Sequence, residues 1–105
     1  MKRKGKVFIK DKLAGFIWES EGEFGFEYDK SYLKNPIYGA VSKTLPLNED
    51  AFKDKNMIPF FDGLIPEGWL LNVAVKNWKL DPRDRMGLLL NVCKDCIGAI
   101  SIEKI

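Results

Sequence analysis

A chain of 105 residues with 46% apolar and 30% charged side chains holds material for one packed core, hence one domain spanning 1–105 that folds without disulfides or metal. Its net charge of +2 is too small to imply a nucleic-acid partner, no run of about 18 apolar residues exists to cross a membrane, and the basic start MKRKGKVFIK leads into no apolar stretch of signal-peptide length. Two cysteines are too few for a secreted disulfide scaffold, so the composition points to a cytoplasmic protein.

Charge is distributed unevenly at the start of the chain. Lys2, Arg3, Lys4, Lys6, Lys10 and Lys12 crowd the first twelve positions, and Glu19, Glu21, Glu23, Glu27 and Asp29 crowd 19–29. Two neighbouring strands with complementary exposed faces explain both runs. A basic arm on DNA phosphates ranks below that reading, because six bases on one strand with no recognition helix do not read sequence.

Lys6–Lys10 and Leu13–Trp18 read as two strands joined across Asp11-Lys12, with the next turn at Glu19–Gly22. Phe24, Phe26 and Tyr28 then alternate with Gly25 and Glu27, the period of a strand with one buried face, which completes a three-stranded antiparallel meander. Residues 29–40 read as irregular, broken by Asn35-Pro36 and Gly39. Val41, Lys43, Leu45 and Leu47 share one face of a further strand, whose end Pro46 confines to a sheet edge, and Asn48–Asn56 reads as loop.

From Pro59 the period changes. Pro59–Leu64 is a short helical turn ended near Gly63, and Pro66 suits the first position of a second helix. Asp81-Pro82-Arg83-Asp84 opens a third, with Asp81 as N-cap, and Met86, Leu89, Leu90 and Cys93 form its core stripe. Gly98–Ile102 closes the chain as a strand. The expected class is α+β: a small antiparallel sheet, N-terminal meander plus later strands, packed against about three helices in the C-terminal half.

The residues offer little chemistry. With no histidine, the commonest general base, the usual partner of a nucleophilic Ser or Cys, and the commonest metal ligand are missing. No phosphate-cradling Gly-x-x-x-x-Gly-Lys loop occurs. Cys93-Lys94-Asp95-Cys96 has the spacing of half a zinc site, but two further ligands are lacking, so Cys93 reads as core and Cys96 as a small residue in a tight turn. No catalytic residue, cofactor or metal is expected.

The second helix is the unusual element. At 100° per residue Leu70, Leu71, Ala74, Val75 and Trp78 fall within about 140° of arc, a core face, whereas Pro66, Trp69 and Val73 fall opposite, within about 60° of one another. Either residues 29–56 fold over that back, or it is an anchor for a partner, since a Trp beside an apolar neighbour is what an interface hot spot looks like.

Thr44-Leu45-Pro46-Leu47, the run from Pro59-Phe60-Phe61-Asp62-Gly63-Leu64-Ile65 to Pro66-Glu67-Gly68-Trp69, Asp84–Leu89, and Asp95–Ile100 together resemble the N-terminal subdomain of HipA-type serine/threonine kinases, over nearly the whole chain. In such kinases the ATP-binding and catalytic motifs follow this subdomain, so the resemblance implies no kinase activity here. A copy beginning at Met1 and stopping after the closing strand resembles the HipS antitoxins of HipBST toxin–antitoxin modules. There the kinase HipT lacks the subdomain, HipS supplies it in trans, and HipB binds DNA. The resemblance implies docking onto a HipT-like kinase, in a complex with a HipB-like protein, through Phe61, Asp62, Pro66, Glu67, Gly68, Trp69 and Val73. The alternative is a regulatory subdomain that completes a HipA-like kinase without inhibiting it.

Overall fold

In the computed structural model, residues 3–65, 76, 83–92 and 99–105 are described. The N-terminal meander forms as the alternation predicts: β1 (Arg3–Ile9), β2 (Lys12–Ser20) and β3 (Glu23–Tyr28) pair antiparallel in succession. The first turn sits one residue earlier than expected, at Lys10-Asp11, because Lys12 is drawn into the ladder opposite Ile9. Glu19 and Ser20 likewise remain in strand, which narrows the second turn to Glu21-Gly22. Both central residues there are left-handed, with φ of 51° and 76°, the geometry that matches the twist of a tight hairpin. A bulge between Val7 and Phe8 inserts Ala14 as an extra residue in β2 and turns it into the core, where it is fully buried.

Two later strands complete a five-stranded antiparallel sheet, in the order β4-β3-β2-β1-β5. Strand β4 (Phe52–Asp54) pairs with β3, Phe52 opposite Phe26, and β5 (Ile100–Lys104) pairs with β1, Ile102 opposite Val7. The closing strand is where the sequence predicts one, shifted two residues on. Strand β4 is not: it arises inside Asn48–Asn56, which reads as loop because Phe52 is the single large apolar residue there and the ladder partner is distant. The strand expected over Val41–Leu47 reduces to one isolated bridge between Ser42 and Leu45. Val41 and Leu45 are buried there, but Leu47 is exposed.

The stretch 29–40 is less irregular than its breakers suggest. Asp29 caps a one-turn helix, α1 (Lys30–Lys34), its carboxylate accepting from the Tyr32 backbone N–H at 3.2 Å. Tyr28 and Tyr32 then pin the following loop. The Tyr28 hydroxyl accepts from Val41 N–H at 3.0 Å and donates to the Leu45 carbonyl, and the Tyr32 hydroxyl donates to the Gly39 carbonyl at 2.7 Å. Residues 29–45 thereby contribute Tyr32, Val41 and Leu45 to the core.

Helix α2 (Pro59–Asp62) has its proline in the first turn and ends at Gly63, as expected. Helix α3 (Arg85–Val92) starts three residues later than the Asp81-Pro82 signal predicts. Its cap is Asp84, whose carboxylate accepts from Gly87 N–H at 3.2 Å. Met86, Leu89 and Leu90 are buried as predicted, and Leu88 is equally buried, so the helix is apolar around most of its circumference. Cys93 lies outside the described residues. All these buried groups gather on one side of the sheet with Val7, Ile17, Phe26, Phe61 and Ile102. The outward positions of the meander, among them Phe8, Phe16 and Trp18, are half-buried and stand apart from that core.

Candidate functional site

The predicted contact residues fall on α2 and on the segment after it. Pro66, Glu67, Gly68, Trp69 and Val73 lie outside the described residues. Phe61 and Asp62, about 100° apart around the helix, face different surroundings. Phe61 is fully buried, its ring 5.2 Å from that of Phe26 and 5.1 Å from that of Phe60. It therefore holds α2 against the sheet from beneath, and any part it takes in contact with a partner runs through the position of α2. Asp62 faces outward, and its Oδ1 accepts from Arg85 Nε at 2.6 Å.

That pair joins the chain just before residue 66 to the chain just after residue 82. A second set of charges braces the same place. The Arg3 guanidinium donates to both carboxylate oxygens of Asp84, Nη1 to Oδ2 at 2.8 Å and Nη2 to Oδ1 at 2.7 Å. Its Nε also donates to Glu19 Oε1 at 2.7 Å, and Nη2 contacts the same oxygen. Register explains the choice of partners: Arg3 stands opposite Glu19 in the β1–β2 ladder, on the face that looks toward α3. The complementary charge runs seen in the sequence thus yield one described cross-strand ion pair, Arg3 with Glu19. Lys4 instead lays its ammonium over the Phe16 ring, 4.5 Å from the centroid.

The electrostatics suit a brace better than a reaction centre. Hydrogen bonding to Arg3, aided by the Gly87 N–H, holds the Asp84 carboxyl below the usual carboxylate range, and Asp84 in turn raises the guanidinium further above its ordinary value. A carboxylate held down this way has no proton to donate near neutrality. Gly87 completes the fit, because a Cβ there would sit 2.4 Å from Asp84 Oδ2 and force the carboxylate off its partner. Among the described residues no three His, Cys, Asp or Glu side chains stand close enough to share a metal ion. Arg3, Glu19, Asp84 and Arg85 were not singled out as site residues by the sequence; only the paired charge runs hinted at the first two.

Comparison with known proteins places this geometry in context. The family model described as HipA N-terminal domain matches residues 5–103. An uncharacterized protein of Haemophilus influenzae is 30% identical over 102 residues, which cover 97% of this chain and 92% of that protein. The "Putative kinase Y4mE" of Sinorhizobium fredii is 28% identical over 97 residues, covering 91% of this chain but 23% of that protein, so the chain spans about a quarter of this relative. A solved structure titled N-terminal domain of HipA toxin superposes with a TM-score of 0.68 at 27% identity, covering 98% of this chain and 92% of that one.

Proposed function

We propose, because this chain belongs to the HipA N-terminal domain family, that it is an antitoxin which docks onto a HipT-type serine/threonine kinase in the cytoplasm and inhibits it. One observation carries the reading: the same domain occupies 23% of a kinase-named relative and 92% of a small one. A unit found both as part of a larger kinase-like protein and nearly alone is suited to act on a kinase in trans. Residues 1–105 act as one domain, together with a HipB-like DNA-binding protein in the same complex, and the chain itself performs no catalysis.

Contact runs through the Pro66-Glu67-Gly68-Trp69 turn, with Trp69 as anchor and Val73 beside it. The Asp62–Arg85 pair and the buried Phe61 support this turn by fixing the chain on either side of it. A Trp→Ala change at such an anchor costs about 2–4 kcal/mol, or about 30- to 1,000-fold in affinity. Trp69→Ala should weaken capture of the kinase by that factor and restore its autophosphorylation while leaving the melting temperature unchanged. Full inhibition by the variant removes Trp69 from the mechanism. Co-expression separates inhibition from the alternative, a subdomain that merely completes the kinase, which the place of this domain within the larger kinase-named relative favours. Only an antitoxin rescues growth from the kinase.

A further inference from the structure

The sheet side facing away from the core carries a charge pattern that is antisymmetric about its middle strand. Lys6, Phe16 and Glu27 stand directly opposite one another across β1, β2 and β3. In the neighbouring row Lys4, Trp18, Gly25 and Lys53 do the same across β1 to β4. On the far edge Glu103 of β5 stands opposite Lys6. Read from β4 to β5, this face runs basic, acidic, aromatic, basic, acidic. Gly25 lets the aromatic strip lie flat, since a Cβ there would meet the Trp18 ring at 2.2 Å. Open grooves lined by Trp18 and by Phe16 lie on this side.

We infer that this face is a self-complementary docking surface for a second copy of the chain. A two-fold axis laid along β2, midway between two facing sheets, exchanges β1 with β3 and β4 with β5. The middle row then meets its electrostatic opposite: Lys6 of either copy lies over Glu27 of the other, Lys53 comes within one step of Glu103, and Lys4 meets the uncharged Gly25. The Trp18 rings meet near the axis, and Phe16 reaches it beneath the Lys4 ammonium that lies over its ring. An axis across the strands would instead bring β1 over β1 and set lysines against lysines. Residue i meeting j while j meets i is what a symmetric pair requires, and aligned face-to-face packing is an ordinary arrangement for twisted sheets. Five strands at about 4.8 Å and five residues at about 3.3 Å give roughly 400 Å² per copy. Roughly 800 Å² in total lies below the range of stable specific interfaces and among weak, transient ones, so the pair is weak and forms with rising concentration. The inference does not depend on the kinase reading.

Sedimentation equilibrium from about 1 μM to about 1 mM, at low and high salt, tests it. The wild-type chain should dimerise, less so at high salt. Lys6→Glu or Glu27→Lys alone should weaken dimerisation by about tenfold or more. The double variant, and an equimolar mixture of the two single variants, should recover it, because both arrangements restore opposite charges at both contacts. Both positions point away from the core, but Lys6→Glu sets a second acid opposite Glu103 within the chain, so Glu27→Lys is the variant whose melting temperature should stay as in wild type. A chain monomeric throughout, single variants that associate normally, or a double variant that does not recover would each overturn the inference. So would a monomeric wild type whose kinase capture is lost on Lys6→Glu, which would assign the face to the kinase.

Discussion

At the scale of single residues, the polar groups of this protein act as fasteners for segments without regular structure. The Tyr28 hydroxyl is buried between the Val41 N–H and the Leu45 carbonyl. Tyr28→Phe keeps the ring packed edge-on against Phe26, with centroids 4.9 Å apart, but leaves a buried donor and a buried acceptor unpaired. Each such orphan costs about 1–3 kcal/mol. Urea unfolding should show a loss of at least about 1 kcal/mol with the slope unchanged. Wild-type stability would mean that water reaches both groups. Tyr32→Phe should cost less, because its hydrogen bonds are only partly buried.

At the scale of elements, α3 owes its starting point to a side chain 81 positions away. Asp84 caps the helix and accepts two bonds from Arg3, and hydrogen bonding to that guanidinium holds its carboxyl below the ordinary range. The sign of the pH effect follows. A carboxyl with a depressed pKa in the folded state contributes stability fully above its unfolded value, about 3.9, and loses it as pH falls through the lower folded value. Wild-type protein should therefore lose stability below about pH 4 more steeply than Asp84→Asn, which keeps a capping oxygen without the charge. Thermal melts from pH 6 down to pH 2 measure this, and superimposable profiles would show that the Arg3 contact contributes nothing. At neutral pH Asp84→Ala should be the less stable variant, by about 1 kcal/mol for the lost cap.

At the scale of the whole molecule, the chain's two ends are built into one sheet. Strand β5 adds to β1, with Ile102 buried opposite Val7, so the start of the chain cannot finish its ladder until the end arrives. A variant ending at Gly98 loses Ile100 and Ile102 from the core and uncovers the β1 edge. It should fail to unfold cooperatively, seen as a broad thermal transition by circular dichroism. A sharp two-state transition would show that the meander and helices suffice without closure. The same architecture leaves one sheet face to the core and the other free of it. A small domain of this kind can work through its surfaces, among them the proposed self-matching outer face.

Much of this was legible in the residues themselves. Alternation at Phe24, Phe26 and Tyr28 determined the meander, Pro59 and Gly63 bounded α2, and the apolar end of the chain announced a closing strand. These signals are local, carried by periods and breakers within a few positions. Strand β4 has three residues and no period, so it exists only because β3 offers it an edge. Helix α1 is a single turn fixed by its cap, and α3 begins at Asp84 because Arg3 holds it there. Phe61 reads as a motif residue in the chain, yet the fold makes it core, since packing around α2 decides which of two adjacent helical residues turns inward. Composition and periodicity set the class; partners distant in sequence, brought together by closure of the sheet, decided the rest.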